Sequence, residues 1–158
     1  TIRSIASARR SGDRFIAHVL PTFVPADHAF AFVRNEYNAV RIEGVHSGTH
    51  VLQGKGAGKL PTGLAVLSDV QQLVRGGGYN YAKVNERAPR LCAQDVHIEV
   101  YARIPATHQE LLARFDTVRP IDATPDHVRV TGRIALDELS LLLGNGREGF
   151  QVIALPHL

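Results

Sequence analysis

Methionine and tryptophan are absent from this sequence, cysteine occurs once, and aromatic residues make up only 6% of it. One thiol, Cys92, excludes an intrachain disulfide and leaves a reducing, cytoplasmic setting as the simple expectation. Cys92 has no basic neighbour closer than Arg90 to mark it as a nucleophile. No apolar run approaches the roughly 18 residues that a membrane-spanning helix requires. Residues 1–14 are polar and carry four arginines, which is not the pattern of a secretory signal. Charge of one sign is also in short supply. Eighteen basic residues stand against fifteen acidic ones, for a net +3. Arg9 and Arg10 are the only adjacent basic pair, and no aromatic residue interleaves with them. Neither a nucleic acid nor a membrane surface is therefore an expected partner. The first residue is Thr1 and no methionine follows, so a segment of a longer chain is expected.

What is present is 158 residues with 44% hydrophobic side chains, enough for one medium domain or two small ones. Residues 15–20 read as a mostly buried strand, interrupted by Pro21, Pro25 and Asp27. Residues 39–44, with Val40 and Ile42 on one face, and residues 50–53 read as two more strands, joined through Gly44 and Ser47-Gly48. Pro61 and Thr62 then open a helix in which Leu64, Leu67, Val70 and Val74 follow the 3.6-residue period. Residues 76–90, which begin with Gly76-Gly77-Gly78, have no sustained period and read as a linker.

The last part, residues 91–158, has a regular order. Val96, Ile98 and Val100 alternate with His97, Glu99 and Tyr101 as a half-buried strand. A helix over residues 107–115 follows, with Thr107 as N-cap and Glu110 completing a capping box. Strands over 118–122 and 127–134, a helix over 136–143 ended by Gly144-Asn145-Gly146, and a strand over 150–155 complete the pattern. The order βαββαβ is that of a ferredoxin-like sandwich, so the fold class expected is α+β. His46 and His50 are four apart, but Ser47-Gly48 between them argues for a turn, and no metal site is expected.

The segment most open to chemistry is Gly54-Lys55-Gly56-Ala57-Gly58, between a strand and the helix that Pro61-Thr62 opens. Alternate glycines let the backbone approach a ligand closely, and a helix start offers unpaired N–H groups. The spacing is neither a Walker A loop nor a full dinucleotide fingerprint. Its neighbours, in order, are His28-Ala29-Phe30-Ala31, Asn38-Ala39-Val40, Glu43-Gly44, the glycine loop, Pro61-Thr62, Ala65-Val66 and Ser68-Asp69, preceded by Val19-Leu20-Pro21-Thr22. In order and spacing these resemble the catalytic-domain signature of homoserine dehydrogenases, over about residues 2–74.

The resemblance implies an oxidoreductase that interconverts aspartate 4-semialdehyde and homoserine with NAD(P). It places Gly58 against the nicotinamide side of the cofactor, with Gly56, Ala57 and Thr62 as neighbours. The proton-transferring lysine and the nucleotide-binding domain of the family would lie upstream of Thr1, so no catalytic residue is assigned in this chain. Lys55, Lys59 and Lys83 do not occupy the lysine's motif. The chain alone is then expected to be inactive and cofactor-free, with the nucleotide-binding domain of the same enzyme as its partner. The tail resembles an ACT-like regulatory domain that senses an amino-acid effector. Arg103-Ile104-Pro105-Ala106-Thr107 stands where such domains carry a glycine turn, however. The expected division is 1–75 as the C-terminal part of the catalytic domain, 76–90 as linker and 91–158 as the ACT-like domain, in a homo-oligomer. A stand-alone amino-acid-binding or oligomerisation module without catalysis is the alternative.

Overall fold

A computed structural model describes residues 1–11, 14–78, 90–91, 96–146 and 148–156. Among them the elements follow in chain order as β1 (Ile2–Ser11), β2 (Arg14–Phe23), β3 (Tyr37–Gly44), β4 (Gly48–Lys55), α1 (Lys59–Val74), β5 (Arg90–Leu91), β6 (His97–Pro105), β7 (Thr117–Ala123), β8 (His127–Ala135), α2 (Leu136–Gly144) and β9 (Gln151–Ala154). Short 3₁₀ segments occupy Ala29–Phe32 and Ala106–Arg114. The architecture is α+β, as expected, and its larger sheet is mixed. Two compact units divide the chain, one formed by Thr1–Pro25 with Pro89–Leu158 and the other by Ala26–Ala88.

The first unit is a sheet in the order β1-β2-β9-β6-β8-β7, with β5 also on β2. β2 runs parallel to β9 and β5, and the remaining pairings are antiparallel. β6 lies between β8 and β9, and its side chains alternate strictly. Ile98, Val100, Ala102 and Ile104 are buried, while His97, Glu99, Tyr101 and Arg103 stay half-exposed on the other face. α2 covers the apolar face with Leu136, Leu139 and Leu142, which join Ile98, Val130, Ile134 and Val152 in one core. Each fully buried leucine stabilises the unit by about 1.5–3 kcal/mol. Asp137 and Glu138 in the first turn of α2 suit the positive end of the helix dipole. The helix stops at Asn145, and Gly146 follows at φ 57°.

Two expectations for this unit need correction. The helix over residues 107–115 is a 3₁₀ segment, Ala106–Arg114, broken at His108 (φ -129°, ψ 32°). Its cap position is Pro105, with no side-chain capping bond, so Thr107 and Glu110 form no capping box. Leu111 is the one buried residue of the segment, with Phe115 just beyond it. Two anchors four residues apart do not impose a continuous α-helix, and short 3₁₀ turns serve instead. The second correction is that Pro21 does not end its strand. It lies opposite Ser4 within the β1–β2 ladder. Thr1 and Val24 exchange N–H···O bonds of 3.0 and 2.7 Å, which places Pro21 at a position where β1 needs no donor. β2 also carries Leu20 into the core, so residues 1–25 group with the C-terminal strands rather than with the segment that follows them.

The second unit is a hairpin and a helix. β3 and β4 pair from Tyr37↔Lys55 to Gly44↔Gly48, around a three-residue turn closed by Gly48 at φ 73°. His46 lies in that turn and His50 opposite Ile42. Among the described residues no group of three or more metal-binding side chains occurs. Ala31 is the one described residue of this unit that is buried. α1 begins two residues before the expected Pro61 and buries none of its sixteen residues. Leu60, Leu64, Leu67, Leu73 and Val74 are all exposed. Of the expected linker, residues 79–89 lie outside the described residues, as does Cys92.

Candidate functional site

β4 ends at Lys55, the chain turns through Gly56, Ala57 and Gly58, and α1 starts at Lys59. The four residues singled out for a cofactor fall at this junction. Gly56, Ala57 and Gly58 form the turn, and Thr62 lies one helical turn along. The Thr62 N–H donates to the Gly58 carbonyl at 3.1 Å, closing the first turn of the helix. Pro61 precedes it, where a missing N–H removes no helical bond. Lys59 and Leu60 have N–H groups at the open end of the helix.

The two outer glycines of the turn are required for different reasons. Gly58 is the N-cap of α1 with φ 112° and ψ 157°, a conformation essentially reserved for glycine. A Cβ built on it would meet only the Pro61 Cδ, at 3.6 Å, so its outer face is open. Gly56 has the opposite surroundings. A Cβ there would lie 1.8 Å from the Asn38 side-chain nitrogen and 2.9 Å from its Cγ. A larger residue at position 56 would therefore need the Asn38 side-chain amide to swing aside.

Glu36, just before β3, holds the turn from outside. Its backbone carbonyl accepts the N–H groups of Gly56 at 2.9 Å and Ala57 at 3.5 Å. Its carboxylate pairs with the Lys55 ammonium at 2.9 Å, and that ammonium also lies 5.5 Å from the centre of the Tyr37 ring. A hydrogen bond from its own backbone holds the Glu36 carboxyl below the usual carboxylate range, with Lys55 adding to the effect. The reciprocal hydrogen bond with Glu36 raises the Lys55 ammonium. Both stay charged at neutral pH and compensate one another. Glu36 carried no signal in the sequence, because its partnership with Lys55 appears only once the hairpin register is known.

An open cleft of about 270 Å³ is lined by Glu36, Lys55, Ala57, Gly58, Lys59, Leu60 and Pro61. It is smaller than a typical small-molecule pocket of roughly 300–1,000 Å³.

Fold and site together define an α+β protein with a glycine-rich turn open to solvent at the start of a helix. The family model for homoserine dehydrogenase matches residues 1–71, which include the entire turn and most of α1. The homoserine dehydrogenase of Bacillus subtilis is 36% identical over 75 residues, covering 48% of this chain and 17% of that protein. That of Neisseria gonorrhoeae is 30% identical over 104 residues, covering 66% of this chain and 23% of that protein. The crystal structure of a homoserine dehydrogenase from Thiobacillus denitrificans superposes with a TM-score of 0.62 at 20% identity, covering 98% of this chain and 42% of that one. This last likeness concerns the fold. Residues 1–71 are thus similar to part of the homoserine dehydrogenases, and the chain spans less than half the length of these relatives.

Proposed function

We propose that this chain is part of a cytoplasmic homoserine dehydrogenase that interconverts L-aspartate 4-semialdehyde and L-homoserine with NAD(P)(H). The observation that carries the reading is Gly58, held in a glycine-only conformation with an open face, inside the stretch that matches the family. Gly58 would form the wall beside the nicotinamide, with Gly56, Ala57 and Thr62 shaping that wall. The bound cofactor would supply or accept the hydride. The turn's own part is to position and to exclude water, since it presents backbone and no acid or base. The proton-transferring lysine and the nucleotide-binding domain that the family resemblance implies are not assigned to any residue of this chain. We therefore expect the 158 residues alone to be inactive. The exposed leucines of α1 fit a helix that the nucleotide-binding domain of the same enzyme would cover. The test is an assay of the full-length enzyme and of residues 1–158 with NADPH and aspartate 4-semialdehyde. Turnover by the former and none by the latter supports the reading, and no turnover by the full-length enzyme ends it.

A second reading is favoured by the C-terminal elements. Strand, 3₁₀ segment, two strands, helix and strand follow in the order β6 to β9, with sheet order β9-β6-β8-β7, and they supply most of one core, to which β2 adds Leu20. This suits an ACT-like module that binds an amino acid or joins copies of the chain in a homo-oligomer. Titration with threonine, followed by calorimetry, separates the two roles. Heat at millimolar ligand supports an effector site, and its absence leaves packing or oligomerisation.

A further inference from the structure

The turn that exposes Gly58 cannot hold itself. Gly56 and Gly58 have no side chains and Ala57 has one methyl group, so their position must be imposed by neighbours. Four consecutive residues, two before β3 and the first two of it, supply that constraint. Asn35, with φ 54°, turns the chain into the strand. Glu36 follows, one position before the first ladder pair Tyr37↔Lys55. From there its carbonyl reaches Gly56 and Ala57, and its carboxylate reaches Lys55. Tyr37 backs the same ammonium with its ring, and the Asn38 side chain lies where a Cβ at Gly56 would project.

We propose that Glu36 is the positioning residue of the glycine turn, tying Lys55, Gly56 and Ala57 at three consecutive points so that the face of Gly58 stays open. Lys55 is its counterpart, and the pair sets the height of the turn over the cleft that both residues line. The proposal rests on the reading of the turn as a cofactor wall, but its geometric half does not need that reading. Glu36 touches no reacting atom, and it acts through the turn.

Amide hydrogen exchange on residues 1–158 tests the geometric half. Glu36→Gln and Lys55→Met remove one charge each and leave the Glu36 carbonyl in place. Each should speed exchange at Gly56 and Ala57 by about twofold to fivefold, the range an exposed ion pair provides. Amides in the middle of the hairpin, at Val40 and Leu52, should not change. The exchanged pair Glu36→Lys with Lys55→Glu should recover most of the protection, and 1 M salt should bring the unaltered chain close to the variants. In the full-length enzyme the single variants should raise KM for NADPH by a similar factor with kcat held. Exchange at Gly56 and Ala57 equal to the unaltered chain at low salt would overturn the proposal. Faster exchange with an unaltered KM for NADPH would support the positioning role and remove the cofactor reading instead.

Discussion

Gly56 and Gly58 look interchangeable as letters, and the structure gives them separate tests. At Gly58 the obstacle is the backbone. Gly58→Ala should destabilise the start of α1 by about 1–3 kcal/mol, since φ 112° with ψ 157° strains any L side chain. At Gly56 the obstacle is the Asn38 side chain. Gly56→Ala should therefore be rescued by Asn38→Ala, which removes the clashing amide, whereas Gly58→Ala should not be. Exchange protection along α1 and the hairpin, measured in the four variants, checks this. Equal rescue of both glycines would show that the two positions share one constraint. On the proposed cofactor reading, NADPH affinity of the full-length enzyme should also fall with Gly58→Ala. Of this site, the glycine spacing was legible in the sequence. The division of labour was not, because a positive φ and the reach of Asn38 are properties of the hairpin register.

Elements follow the same rule: those whose pattern is local were readable, and those completed by a distant partner were not. β6 announced itself through alternation and buries Ile98 and Val100 of the set expected, and β8 and α2 each end within one residue of the ranges read for them. β1 did not, because Arg3, Ser4, Ser7, Arg9 and Arg10 obscure any period in its ten residues, and it exists through its ladder to β2. In β7, Pro120 and the register shift beside it sit on an outer strand, where a missing donor is tolerated. The hairpin of the second unit also carries a pH dependence. Glu36 has a lowered carboxyl pKa when folded, so its contribution is present above the unfolded carboxylate value and lost as pH falls through the lowered one. Lys55 is raised, so its contribution is complete below its unfolded value and lost as pH rises through the raised one. Protection of the Gly56 amide, corrected for intrinsic exchange, should be greatest across the neutral range and fall in acid. Glu36→Gln should flatten the acid limb, and an unaltered limb would place the titrating group elsewhere.

At the scale of the whole molecule, the two units differ in what keeps them folded. The first has a closed apolar core, so Leu139→Ala should cost about 2–5 kcal/mol in thermal or denaturant unfolding of that unit, while Leu141→Ala on the exposed side of α2 should cost under about 0.5 kcal/mol. The second buries almost nothing, and its helix leaves Leu60, Leu64, Leu67 and Leu73 uncovered while carrying only Lys59 and Asp69 as charges. Amphipathic helices normally gain most of their stability from packing one face, and α1 has no packed face among the described residues. A covering domain accounts for such a helix without requiring that its leucines serve the 158 residues themselves. Leu67→Lys discriminates, because Leu67 is 63% exposed here and a charge at that position meets only water. In residues 1–158 it should shift stability by no more than about 0.5 kcal/mol. In the full-length enzyme it should lower the unfolding temperature and the activity together, since a lysine would be forced against an apolar surface. A full-length enzyme indifferent to Leu67→Lys would mean that α1 faces solvent there too, and the proposed covering domain would be lost.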